Sequence, residues 1–209
     1  MYYPTMHPDL VPDKLLSAYT VGIFPMADEE GELFWMAPDP RAVIELDSFK
    51  VSRSLRSAAR RSEFSVTFNR AFAEVMAGCA DRSEGTWIST DIRKAYQELH
   101  RMGFAHSVEV WRGDELVGGL YGVTLGGLFF GESMFHRETD ASKIALVRLV
   151  TRMRERGFSL LDVQFMTEHL RQFGTIEISR AAYERRLQAA LPLKCRLVDG
   201  TETEIDGWS

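Results

Sequence analysis

"GLFFGESMF", residues 127–135, is followed by "DASKIALVRLVTRMRERG" (140–157) and "FSLLDVQFM" (158–166). The two outer stretches are short apolar runs, and they read as strands. The middle one has apolar residues at helical spacing, and Asp140 is its expected N-cap. Strand, helix and strand over this length predict two parallel neighbours joined by a right-handed crossover.

Working outward, "HSVEVWR" (106–112) and "ELVGGLYGVTLG" (115–126) read as strands joined at "GDE", with the next turn at Gly126–Gly127. An antiparallel meander therefore precedes the crossover. "FSVTFN" (64–69) is a further strand. "RAFAEVMAGCADR" reads as a helix with Phe72, Val75, Met76 and Cys79 inward. "STDIRKAYQELHRMG" is a helix capped by Ser89 or Thr90 and stopped by Gly103, with Ile92, Ala95, Tyr96 and Leu99 as its apolar stripe. The proline-punctuated start holds one short helix, "PDKLLSAYTVG", then the extended "GIFPM" and "LFWMAPDPR". The sum is an α+β protein. A small N-terminal α/β unit (1–40) precedes a larger domain (41–209) with a mostly antiparallel sheet and one parallel pair.

Of the 209 residues 45 % are hydrophobic and 26 % charged, enough for one good core. A net charge of −5 argues against a nucleic-acid coat over the whole surface, but a local basic face is compatible with it. Two cysteines make no disulfide framework, and Cys79 in "VMAGCA" reads as a buried free thiol. No apolar run approaches a membrane span, and "MYYPTMHPDLVPDK" has no signal-peptide pattern, so a cytoplasmic protein is expected. The five histidines show no metal-ligand spacing.

Glu132 is the anomaly in its apolar run. A buried, unpaired carboxylate is costly, so it ends in water, has a partner or does chemistry. By alternation Glu132 shares a face with Phe130 and Met134, and Asp162 shares one with Gln164, about 7 Å away along the strand. If the two strands are neighbours, Glu132, Asp162 and Gln164 converge as an acid/base site; if the strands end in solvent, the acids are merely hydrated. Gly118, Gly119, Gly122, Gly126, Gly127 and Gly131 thin the meander, as where a ligand approaches backbone. Arg53, Arg56 and Arg60 share one helix face, either a solvated surface or a phosphate-contacting stripe.

Read together in order, "AYTVGIFPM", "FWMAPDPRAVI", "SRSLR", "GTWI", "AYQELHRMGFAHSVEVWRGDELVGGLYGV", "GLFFGESMF", "ASKIAL" and "LLDVQ" with "HL" resemble the bacterial leucyl/phenylalanyl-tRNA–protein transferases. The resemblance implies a GNAT-type (acyl-CoA N-acyltransferase-like) domain after the N-terminal unit. It implies no metal or other cofactor. The activity implied is transfer of Leu or Phe from aminoacyl-tRNA to proteins beginning with Lys or Arg, marking them for N-end-rule degradation, by a monomer. Asp162 and Gln164 match the proton-relaying pair, and Glu132 the acid that holds the aminoacyl end. Trp87, Phe130, Met134, Ser133 and Met26 are the implied pocket; Arg41, Arg53, Arg56 and Arg60 are implied for tRNA phosphates.

The chain departs from the family pattern with Met26 after "GIFP", where Trp is common, with "LLDVQ" for "LIDCQ", and with "HLRQFGT". An acetyl-CoA enzyme would need a glycine-bearing pyrophosphate loop where this chain has "HRETDASK". A tRNA-binding module without catalysis is the other rival.

Overall fold

The structure, a computed structural model, describes residues 7–28, 30–83 and 85–199. Helix α1 (Pro12–Thr20) leads into a separate hairpin of β1 (Phe24–Ala27) and β2 (Leu33–Met36). The main sheet is built from β3 (Arg41–Ile44), β4 (Phe64–Phe68), β5 (Ala105–Arg112), β6 (Glu115–Leu125), β7 (Leu128–His136), β8 (Leu160–Gln164) and β9 (Ile176–Ile178). Their spatial order is β4-β5-β6-β7-β8-β3-β9. Every pairing is antiparallel except β7 with β8. Helix α5 (Ala141–Glu155) makes the crossover between that parallel pair. Meander, crossover helix and parallel strand are the acyltransferase-like α+β layout expected.

One face of the sheet carries α1, α3 (Phe72–Ala80), α4 (Thr90–Arg101) and α7 (Arg180–Ala190), packed through Leu15, Tyr19, Met76, Ile92, Tyr96 and Leu187. The other carries α2 (Arg53–Arg61), α5 and the short α6 (Glu168–Arg171), through Leu55, Ile144, Leu149 and Leu170. Ser52 and Ser89 cap α2 and α4, each accepting a backbone N–H. Asp140 precedes α5 as expected but does not cap it. Its residue sits at φ 68°, and the carboxylate instead meets Lys143 Nζ at 2.7 Å. The whole of β3 is buried between β8 and β9, a pairing across the chain that local periodicity does not show. No element is expected from the pattern beyond residue 166, where α6, β9 and α7 form.

Two irregularities shape the middle of the sheet. The β6–β7 register runs Tyr121↔Ser133 and then Gly122↔Gly131, so Glu132 is an extra, unpaired residue in a β-bulge. The bulge reverses the alternation. Phe130 belongs to the α3/α4 side and Met134 packs on the α5 side, so the expectation that they share a face is corrected. The β7–β8 ladder ends after three registered pairs, at Phe130↔Asp162, and the strands then splay.

The meander glycines serve close packing rather than ligand approach. A Cβ on Gly118 would lie 2.6 Å from Ala141 Cβ of α5, and one on Gly122 would lie 2.2 Å from the Phe130 carbonyl oxygen. Gly131 alone of these borders the splayed gap, with its nearest neighbour at 3.5 Å. Gly122→Ala should therefore cost about 1–3 kcal/mol in urea unfolding, whereas Gly131→Ala should leave the midpoint nearly unchanged; equal losses would contradict this packing.

Candidate functional site

The splay between β7 and β8 opens a cavity of about 590 Å³. Glu132, Ser133, Met134, Gln164, Trp87 and Arg82 line it, and an apolar wing runs on through Leu120, Leu146, Leu149, Leu161 and Leu170. Both faces of β8 contribute because the strand ends here: Gln164 stands at φ 58° in a tight turn, with Phe165 N–H donating to the Val163 carbonyl at 2.6 Å. A left-handed residue other than glycine stores strain and is common at functional sites. Gln164 is buried, and its Nε2 has no hydrogen-bond partner.

The bulge turns Glu132 towards two phenols. Tyr19 Oη donates to Glu132 Oε1 at 2.6 Å, and Tyr96 Oη lies 3.3 Å from Oε2 and 2.5 Å from Tyr19 Oη. Burial pushes the Glu132 carboxyl up to about 7, with Asp162 adding to the rise and Tyr19, Tyr96 and Arg41 opposing it. Burial, reinforced by Glu132, holds Tyr19 and Tyr96 well above the usual phenol range, so both stay protonated donors. The Tyr121 hydroxyl, at the same wall, is buried without a partner.

Asp162 stands behind the cavity and is fully buried. Its Oδ1 accepts from Arg41 Nε at 2.9 Å and from the Gln164 backbone N–H at 3.0 Å. Its Oδ2 accepts from Arg41 Nη2 at 2.7 Å and from Tyr183 Oη at 2.6 Å. Arg41 also donates through Nη1 to the Gly22 carbonyl at 3.0 Å, and lies between the rings of Phe24 and Tyr183. Burial lowers the Arg41 pKa, but Asp162 outweighs that and leaves it above the ordinary value. The expectation that Arg41 meets a tRNA phosphate is thereby corrected: only 1 % of it is exposed, and its donors face inward.

The remaining sequence candidates divide. Trp87, Ser133 and Met134 line the cavity beside Glu132 and Gln164, whereas Phe130 is core packed on Tyr19 and Met26 lies half-buried in β1, neither of them on the cavity wall. Arg53, Arg56 and Arg60, with Arg61, are exposed on α2. Cys79 is a buried free thiol. Among the described residues no cluster of His, Cys, Asp or Glu could hold a metal ion, and no helix is long and apolar enough to cross a membrane. The sequence reading missed Tyr19, Tyr183, Tyr121 and Arg82, and took Tyr96 only as part of an apolar stripe. The available signal was a tyrosine at a core position, whose hydroxyl needs a partner.

Family profiles described as leucyl/phenylalanyl-tRNA protein transferase and its N-terminal domain match residues 43–188 and 8–39. This chain belongs to that family. Relatives named leucyl/phenylalanyl-tRNA–protein transferase share 57 % identity in Ruegeria sp. (86 % of each chain covered), 54 % in Salinibacter ruber (96 % and 90 %) and 53 % in Gloeobacter violaceus (90 % and 97 %). Among solved structures, L-PGS from Bacillus licheniformis has a TM-score of 0.42 at 15 % identity, covering 84 % of this chain and 62 % of that one, too distant to bear on chemistry.

In this family member the raised Glu132 pKa carries a stability consequence. Below the ordinary carboxyl value of 4.5 the group is protonated in folded and unfolded chains alike, and the preference for the neutral form weakens the fold progressively as pH rises towards about 7. Glu132→Gln should therefore raise the thermal midpoint at pH 8, with the gain shrinking towards pH 4.5; a gain largest at low pH would contradict the assignment.

Proposed function

We propose that the β7/β8 cavity receives the aminoacyl end of charged tRNA, and that the chain moves leucine or phenylalanine from it to the α-amino group of a protein. The observation that carries this is the pairing, on one wall, of a carboxyl with pKa about 7 and an unpartnered buried N–H donor, Glu132 and Gln164. The apolar wing offers leucines to a Leu or Phe side chain, and Trp87 offers a ring to the terminal adenine.

The ester is already activated, so positioning and one proton transfer are the main tasks. The acceptor nitrogen attacks the ester carbonyl and forms the new C–N bond. Its proton passes to the Glu132 carboxylate, while Gln164 Nε2 donates to the oxygen of the tetrahedral intermediate. The C–O bond to ribose then breaks, and the departing oxygen takes the proton back from Glu132. Asp162 acts from behind, by fixing the Gln164 backbone and holding Arg41. This division of labour gives Glu132 the proton and Asp162 a positioning role, in place of relay by Asp162 and Gln164.

The finer assignments extend the same proposal. Acceptors begin with Lys or Arg, the enzyme is a monomer in the cytoplasm, and the product's bulky N-terminus marks it for degradation. Residues 1–40 form the small N-terminal domain and residues 41–209 the catalytic one. Exposed Arg53, Arg56 and Arg60 on α2 contact acceptor-stem phosphates, and none of them has an ion-pair partner among the described residues. Met26 lies off the cavity wall, so its exchange for the common Trp leaves the Leu/Phe preference in place.

Incubation with an Arg-initiated peptide and tRNA charged with Leu, Phe or Met should add one Leu or Phe residue by mass; no gain with any of them overturns the transferase assignment. Gln164→Ala should lower kcat about 10²-fold or more, and kcat/KM of the unaltered protein should fall as pH drops through about 7; a flat profile would remove Glu132 as the base. Arg53→Glu with Arg56→Glu should weaken tRNA binding and flatten its salt dependence by roughly 0.9 per lost phosphate contact. Unchanged affinity at low salt would return α2 to an ordinary solvated face.

A further inference from the structure

Arg82 follows α3 on the rim of the cavity, in the same connection as Trp87. Its Nε donates to the Cys79 carbonyl of α3 at 3.1 Å, and its Nη2 donates to Ser133 Oγ at 2.9 Å and approaches the Met134 carbonyl at 3.5 Å. One edge of the guanidinium is thus tied to the residues that follow the Glu132 bulge. The other end, Nη1, makes no hydrogen bond or ion pair among the described residues, although the side chain is exposed. A cation held in one orientation, with donors directed to solvent beside an aromatic ring at a cavity mouth, suits an anion attached to a planar base.

Resting on the reading of the cavity as the aminoacyl-adenosine site, we infer that Arg82 binds the phosphate on the 5′ side of the terminal nucleotide. Trp87 then stacks the base, Arg82 holds the phosphate and Glu132 faces the esterified end, three fixed points that set the ester carbonyl against Gln164. The anchor on Ser133 matters because Ser133 adjoins Glu132 in the bulge. Phosphate binding and the position of the reacting carboxylate are therefore coupled through adjacent residues.

The test compares two small donors, the phenylalanyl ester of adenosine and that of adenosine 5′-phosphate, with an Arg-initiated peptide as acceptor. The unaltered protein should show a lower KM for the phosphorylated donor. Arg82→Gln should raise that KM about tenfold, leave the KM of the unphosphorylated ester within about twofold, and change kcat little; a charge-assisted contact has about this weight. Arg82→Lys, which keeps the charge, should recover part of the preference. An equal rise for both donors would show that Arg82 only props the rim, and no rise for either would show that it touches no substrate; both overturn the inference. Failure of the unaltered protein to use either ester, or charged tRNA, would overturn the transferase reading itself, a distinct result visible before any variant is made.

Discussion

The buried pair of Arg41 and Asp162 joins parts of the chain that are otherwise far apart. Arg41 reaches back to the Gly22 carbonyl beyond α1 and forward to Tyr183 of α7, while Asp162 fixes the turn at Gln164. Such a pair adds little net stability over a well-packed apolar substitute, because both ions lose their water. Its strength lies in what breaking it would cost, since either partner left alone is a buried, uncompensated charge. The pair therefore works as a geometric constraint. It fixes where β8 stops, and with it the side of the cavity on which Gln164 stands.

The second constraint is the extra residue in β7. A regular strand would keep Glu132 in phase with Phe130 and Met134. The bulge instead gives the two apolar neighbours to opposite faces and leaves Glu132 to Tyr19 and Tyr96. Splaying of β7 from β8 then supplies the room that regular hydrogen bonding would close. Carboxyl, amide donor and apolar wing thus meet where two strands part, and the chemistry depends on the sheet's irregularities more than on its regular ladders.

Much of this architecture was legible because it is local. The meander, the crossover helix and the parallel strand each carry their own periodicity, and Glu132 stood out as a charge in an apolar run. The bulge was not legible, because alternation counts residues and cannot show an unpaired one. Strand β3 was hidden for another reason: "RAVI" pairs with strands more than a hundred residues on. Arg41 read as a surface cation because composition reports charge without burial. The meander glycines suggested a ligand, whereas what approaches most of them is a helix or a neighbouring strand. The tyrosines were read as apolar mass, although their hydroxyls hold the site carboxylates.

The most direct measurement is a kinetic cycle between Asp162 and Gln164. Single-turnover transfer would be followed for Asp162→Asn, Gln164→Ala and the double variant, at a temperature where circular dichroism shows all of them folded. If Asp162 acts through Gln164, Asp162→Asn slows the unaltered protein but changes the rate by less than about twofold once Gln164 is gone, the strong non-additivity of residues that act as a unit. Multiplying effects would contradict the account and return a direct part in proton transfer to Asp162.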